Sequence, residues 1–272
     1  MIRHAFQYLN IDNLYIRYRD IPSTGNPILL IHGLGGSIDS WINNIDLLSS
    51  EQLRLIAIDL PGFGFSGKPK INYTINFYTT FIAKFIKELK LSSSLSIIGF
   101  SLGGHIAAEV AINHSRLLSK LILVSPAGTL PISFRTTPAL KDYVNILKAK
   151  SVQEIKKALS VIDNNPVDDT YARIIYHRLS TVNAKEAFLS ALKGSRNAAR
   201  LTRRLHKIKA NTLLIWGKDD QIIPVKYSIP FIRMENCRMV LLEKCGHRPH
   251  IEKPKLFNKI VAGFVKESEI AQ

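Results

Sequence analysis

A serine with a glycine two residues to either side, Gly99-Phe100-Ser101-Leu102-Gly103, is where residue types and spacing in this chain first point to chemistry. A hydroxyl is a weak nucleophile at neutral pH, so it must be presented at an exposed point and placed beside a base. The pentapeptide meets the first requirement. It follows the apolar run Leu95 to Ile98 and opens the helix-like stretch Leu102 to His114. That is the strand–turn–helix setting in which a tight turn strains the serine backbone and pushes its oxygen outward. A β-carbon at 99 or 103 would clash in such a turn, which accounts for the glycines. The Leu102 amide then begins a helix, unpaired and facing any negative charge that develops on a substrate oxygen.

The base and its orienting carboxylate are found near the C-terminal end. Of the eight histidines, His247 is best placed, because Gly246 lets the backbone turn after an apolar run and swing the imidazole back. His105 lies one helical turn beyond Ser101 and is expected to point away. His250 is expected behind His247 or in solvent. His32 is expected to brace the loop His32-Gly33-Leu34-Gly35-Gly36. Two carboxylates compete for the third position, Asp219 and Asp220, and the loop after Lys120–Val124 offers none. Asp220 is favoured because Pro224, four residues on, would pin its loop. Asp219 is then solvated or caps the next turn. A second amide for the developing oxyanion is expected from Leu34, whose glycine-rich loop lets the backbone approach a substrate.

These residues need a frame that brings them together. Phe6–Asn10 and Leu14–Tyr18 read as an opening hairpin, and Pro27–Ile31, Leu53–Ile58, Leu95–Ile98, Lys120–Val124, Thr212–Trp216 and Arg238–Leu242 as further strands. Helical patterns at about Ser40–Leu48 (Ser37 or Asp39 as N-cap), Thr74–Leu89, Leu102–His114 and Lys255–Lys266 alternate with them. The alternation implies an α/β fold with a doubly wound, mostly parallel sheet. Ser101, Asp220 and His247 each follow the carboxyl end of a predicted strand, where such sheets bind ligands. From Thr129 to Lys209 the strand signal stops and helical periodicity takes over, which reads as a helical cap. This stretch carries 16 basic and 6 acidic residues, so most of the excess charge lies here. Leu201, Leu205 and Ile208 fall at helical spacing, so a helix here would bury them and turn Arg200, Arg203, Arg204 and Lys207 outward.

Composition narrows the function classes. With 272 residues and 46% hydrophobic content, the chain suits a single α/β domain with an insertion. No apolar run is long enough to cross a bilayer. Met1–Asn10 has Arg3 and His4 but no apolar core of a secretory signal, so a cytoplasmic location is expected. Cys237 and Cys245, if on one extended strand, lie roughly 26 Å apart, too far for a disulfide, and read as free thiols. No Cys/His spacing suits zinc, so neither a metal nor a cofactor is expected. A net charge of +16 suits anionic small molecules or peripheral contact with an anionic membrane surface, and lysine-rich surfaces also simply confer solubility. No nucleic-acid-binding signature accompanies it.

Taken together, these pieces resemble the α/β-hydrolase fold family over nearly the full length. They are His32-Gly33-Leu34-Gly35-Gly36, Asp59-Leu60-Pro61-Gly62-Phe63-Gly64-Phe65-Ser66, Gly99 to Gly104, Trp216 to Asp220 with Pro224, and Gly246-His247 followed by Glu252 and Pro254. The order Ser, Asp, His is the family's order. The resemblance implies an eight-stranded sheet with a cap between the sixth and seventh strands: residues 1–128 and 210–272 as core, 129–209 as cap. A serine nucleophile argues against the branches that use aspartate. The chain is similar to the branch of small-molecule carboxylesterases, haloperoxidase-like esterases and meta-cleavage C–C hydrolases. Many C–C hydrolases carry Asn before the serine and Trp after the histidine, where this chain has Phe100 and Arg248. The expectation is therefore a carboxylesterase acting through an acyl-enzyme on Ser101, with His247 as base, Asp220 as its orienting acid, and Leu34 and Leu102 as oxyanion donors. C–C hydrolysis of a vinylogous diketone acid is the first rival. A non-catalytic receptor or interaction protein on the same fold is the second.

Overall fold

Short runs of leucine and β-branched residues become the strands of one sheet. A computed structural model describes residues 5–91, 94–129, 137–160 and 167–267. The strands are β1 (Gln7–Ile11), β2 (Leu14–Ile21), β3 (Pro27–Ile31), β4 (Arg54–Ile58), β5 (Ser96–Phe100), β6 (Lys120–Val124), β7 (Asn211–Gly217) and β8 (Cys237–Leu242). Their order across the sheet is β1-β2-β4-β3-β5-β6-β7-β8. The hairpin β1–β2 joins β4 antiparallel, and every pairing from β4 to β8 is parallel. The fold is the expected eight-stranded, mostly parallel α/β-hydrolase sheet.

Side chains alternate across a strand, so a strand buried on both faces feeds two cores. Leu29, Ile31, Ile97, Leu121, Leu123 and Leu214 face one way. They pack against Phe81, Ile82 and Phe85 of α2 (Ile75–Glu88) and Ile106 and Val110 of α3 (Leu102–Asn113). Ile28, Leu30, Ile98, Ile122, Val124, Leu213 and Ile215 face the other way. There they meet Ile45 and Leu48 of α1 (Ile42–Ser49) and Phe257 and Val261 of the closing helix Pro254–Lys266. The first helix is entered through a 3-10 turn, Ile38–Trp41, which Ser37 caps by accepting from the Asp39 amide.

Among the described residues, four helices lie between β6 and β7: α4 (Pro138–Val144), α5 (Val152–Leu159), α6 (Asp169–Leu179) and α7 (Ala184–Asn197). Residues 130–136 and 161–166 of the expected cap, and residues 1–4 of the N-terminal reading, lie outside the described residues. Leu201, Leu205 and Ile208 are buried as expected, but in two 3-10 turns, Leu201–Arg203 and Leu205–Lys207, rather than in one helix. Arg204 is not an outward charge either. Its Nη1 donates to Glu109 Oε2 of α3 at 2.8 Å. The remaining helices are short or terminal: α8 (Ile229–Ile232), α9 (Pro249–Glu252) and α10 (Pro254–Lys266). Among the described residues no helix is long and apolar enough to cross a membrane.

Candidate active site

The turn after β5 is strained where the sequence requires it. Ser101 has φ +53° and ψ −112°, a region that residues with a β-carbon rarely occupy. Three backbone bonds hold it there. The Ser101 amide donates to Val124 O at 2.9 Å, and its carbonyl accepts from His105 N and Ala127 N at 3.1 Å each. The flanking glycines are obligatory on distance. A β-carbon on Gly99 would lie 2.4 Å from Gly103 O, and one on Gly103 would lie 2.3 Å from Ile31 O.

His247 stands beside Ser101. The Ser101 hydroxyl lies 3.1 Å from His247 Nε2, and His247 Nδ1 lies 2.8 Å from Asp220 Oδ2. A carboxylate oxygen only accepts, so Nδ1 carries the proton and Nε2 is left to receive the one from serine. Asp220 is buried, and its other oxygen accepts from the amides of Ile222 and Ile223 at 2.9 and 2.8 Å. Its neighbour Asp219 is exposed and makes no part of this chain of bonds. The loops carrying the two residues touch through glycine: a β-carbon on Gly217 would lie 2.0 Å from Gly246 O.

Two positioning groups went unread in the sequence. Glu252 accepts from the amides on both sides of His247, Gly246 N at 2.9 Å and Arg248 N at 3.2 Å, and so clamps the histidine loop. The indole N–H of Trp216 donates to Ile223 O at 2.9 Å and holds the aspartate loop. Glu252 and Trp216 were both visible as parts of motifs, but nothing in the chain order says which amides they meet.

Leu102 is the first residue of α3, where the helix supplies no acceptor for its N–H. Leu34 shares a peptide unit with the Gly33 carbonyl, and that carbonyl accepts from His32 Nδ1 at 2.7 Å and from Gly36 N at 3.0 Å. Because the peptide is planar, fixing its oxygen fixes the opposite N–H of Leu34. His32 Nε2 accepts from Leu60 N at 3.0 Å, so the ring is neutral with its proton on Nδ1. Complete burial, the larger effect, holds its pKa down at about 4. Among the described residues, no group of three or more His, Cys, Asp or Glu side chains could hold a metal ion.

The other histidines lie elsewhere. His105 is buried against Gly128, with burial lowering its pKa to about 3. His250 is neither exposed nor bonded to His247. It is buried between Trp41 (4.5 Å) and Phe100 (4.6 Å), and among the described residues neither ring nitrogen has a hydrogen-bond partner. The space over Ser101 is roofed by Leu140 and Tyr143 of α4, Tyr171 and Ile175 of α6, and Phe188 of α7, and Arg248 lines it beside His247.

A sequence model of the alpha/beta hydrolase fold matches residues 26–150. The 2-hydroxy-6-oxo-6-(2'-aminophenyl)hexa-2,4-dienoic acid hydrolase of Metapseudomonas resinovorans is 28% identical over 267 residues, 95% of this chain and 90% of that protein. Among solved structures, a bacterial membrane phospholipase A described as a virulence factor superposes with a TM-score of 0.87 at 28% identity, covering 98% of this chain and 87% of that one. A meta-cleavage product hydrolase from Pseudomonas fluorescens IP01 does so with a TM-score of 0.85 at 25% identity, covering 97% and 98%.

Proposed function

We propose that the chain is a hydrolase of the α/β-hydrolase fold family and that it cleaves carboxylic esters of small molecules through an acyl-enzyme on Ser101. One observation carries this reading: the continuous hydrogen-bonded chain Ser101–His247–Asp220 at the carboxyl edge of the sheet. Ser101 Oγ attacks the carbonyl carbon as its proton passes to His247 Nε2. The carbonyl oxygen, now negative, is held by the Leu34 and Leu102 amides. Asp220 keeps the proton on Nδ1 and stabilises the imidazolium. Collapse of the tetrahedral intermediate breaks the bond to the alcohol, which leaves with the proton from Nε2. Water, giving its proton to His247, then attacks the acyl-enzyme, and the acid departs. Residues 1–128 and 210–272 are the catalytic core in this reading. Residues 129–209 are the cap that excludes water from the reacting ester. No metal or cofactor takes part.

The likeness to dienoic acid and meta-cleavage product hydrolases supports a second reading, C–C bond hydrolysis with the same three residues. Phe100 and Arg248 argue against it, as the departures noted above. The free thiols, Cys237 half-buried and Cys245 buried, agree with a reducing compartment such as the cytoplasm. A panel of nitrophenyl esters and ring-fission dienoic acids tests the pair of readings. Esters are expected to turn over at least tenfold faster than dienoic acids. Ser101→Ala is expected to lower kcat by about 10⁴–10⁶, and a fluorophosphonate is expected to label Ser101 alone. Near wild-type turnover by Ser101→Ala rules out both readings.

A further inference from the structure

The loop that carries Leu34 is a four-residue turn, Gly33-Leu34-Gly35-Gly36, closed by the Gly36 amide donating to Gly33 O at 3.0 Å. Gly35, its third residue, has φ +68°, whereas Leu34 does not have positive φ. That pairing marks a type II turn, which differs from type I by a flip of the central peptide, here Leu34–Gly35. Glycine accepts either sign of φ, so the turn alone does not fix which way this peptide faces. Holding Leu34 therefore takes two anchors. His32 and Gly36 tie the peptide before it. The peptide after it is tied from α4, where the Tyr143 hydroxyl donates to Leu34 O at 2.7 Å.

The second anchor is firmly seated. Burial, the largest effect, pushes the Tyr143 pKa up from its ordinary value, so the phenol keeps the proton it donates. The Tyr143 ring centre lies 6.0 Å from that of Phe188 on α7. Both side chains press on the turn: a β-carbon on Gly35 would lie 2.7 Å from the Phe188 ring and 3.1 Å from the Tyr143 oxygen. Tyr143 and Leu34 are 109 residues apart, so their bond exists only while α4 rests on the core. If α4 lifts away, Leu34 O loses its donor and the Leu34–Gly35 peptide is released. A flip changes ψ of Leu34 by about 150°. The two peptides share the Leu34 α-carbon, so the flip disturbs the aim of the Leu34 N–H.

We propose that Tyr143 is a positioning residue through which the seated cap holds the Leu34 amide in its oxyanion-binding orientation. The inference rests on the serine hydrolase reading and adds to it a coupling between cap seating and transition-state stabilisation.

Tyr143→Phe deletes the hydroxyl and keeps the ring. It is expected to lower kcat on nitrophenyl butyrate by about 10- to 100-fold while KM stays within about threefold of wild type. A trifluoromethyl ketone reads the same loss in binding. Ser101 Oγ adds to its carbonyl carbon, the serine proton passes to His247 Nε2, and the carbonyl oxygen becomes an alkoxide facing the Leu34 and Leu102 amides. The methyl ketone of the same chain fills the same space with its carbonyl intact. Tyr143→Phe is expected to weaken inhibition by the trifluoromethyl ketone in step with the fall in kcat/KM, and to leave the methyl ketone within about threefold. Coupling is reciprocal, so an occupied oxyanion site must also favour the seated cap. In wild type, hydrogen exchange over residues 138–148 is expected to be slower with saturating trifluoromethyl ketone than with saturating methyl ketone, a readout that needs no variant. A variant kcat within about twofold of wild type overturns the proposal. So does a rise in KM with kcat unchanged, or an equal loss for both ketones, which would make Tyr143 a plain substrate contact. Equal protection by the two ketones overturns it as well. Each of these outcomes leaves the hydrolase reading standing. Failure of wild type to hydrolyse the ester, with no fluorophosphonate labelling of Ser101, overturns the hydrolase reading itself.

Discussion

Asp220 and Asp219 are chemically identical neighbours with different surroundings. Asp220 is buried, takes two backbone amides on one oxygen and faces His247 Nδ1 with the other. Asp219 lies in solvent. Asp220→Asn would keep the shape but offer His247 Nδ1 an amide that can donate, favouring the wrong tautomer. It is expected to lower kcat by about 10³–10⁴ with the circular dichroism spectrum intact, whereas Asp219→Asn stays within about threefold of wild type. Steady-state kinetics on one nitrophenyl ester checks both, and a larger loss at 219 would reverse the assignment. His32 shows a different kind of dependence. Its Nδ1 donates to the Gly33 carbonyl and so fixes the orientation of the Gly33–Leu34 peptide.

The β5–α3 turn holds Ser101 out by bringing three backbones too close for any side chain. Gly103 rests on the β3 carbonyls, with Ile31 O 2.3 Å from where its β-carbon would be. Gly103→Ala must push α3 away from β3 and is expected to destabilise the protein by about 3 kcal/mol or more. Gly263 in α10 is the contrast, exposed and with nothing within 4 Å of a β-carbon. Gly263→Ala is expected to stabilise by roughly 0.5–1 kcal/mol, because it removes unfolded-state freedom without a clash. Urea denaturation measures both, and similar effects at the two sites would contradict the packing argument.

The whole protein carries an acid liability. His32 and His105 are buried with pKa values held at about 4 and about 3, and burial holds His250 well below the usual value. The unfolded chain binds protons at these groups near pH 6.5, the folded chain only at much lower pH. Between those limits the unfolded state holds more protons, so stability is full above pH 6.5 and falls as pH drops towards 4. His32 and His105 are each expected to cost about 2 kcal/mol by pH 5. His250 offers the cleanest check, because its slot between Trp41 and Phe100 is aromatic and its nitrogens are unpartnered among the described residues. His250→Phe is expected to recover roughly 4–8 °C of Tm at pH 5 and much less at pH 8. An equal shift at both values would show that packing, not protonation, decides. Surface charge is more scattered than its sum implies. Arg204 is spent on Glu109, while Arg203 and Lys207 remain exposed.

Much of this protein was legible in its amino-acid order. Strands buried on both faces read as unbroken apolar runs, and β3 and β6 have the predicted ends, Pro27–Ile31 and Lys120–Val124. Gly-x-Ser-x-Gly declared the strained turn, because only glycine tolerates the neighbouring backbones. Ser101, Asp220 and His247 could be picked out because each follows a strand's carboxyl end, a property of order alone. Contacts between distant segments were not legible. Helical spacing foretold the burial of Leu201, Leu205 and Ile208 but not the 3-10 turns, since Gly128 O, which accepts from Leu201 N, belongs to another loop. Arg248 read only as a departure from a pattern. Its place beside Ser101 depends on α6 bringing Tyr171 over the sheet. Periodicity along the chain records which face of an element is dry. Which dry or charged groups then meet is set by packing across elements far apart in sequence, and only the tertiary structure decides that.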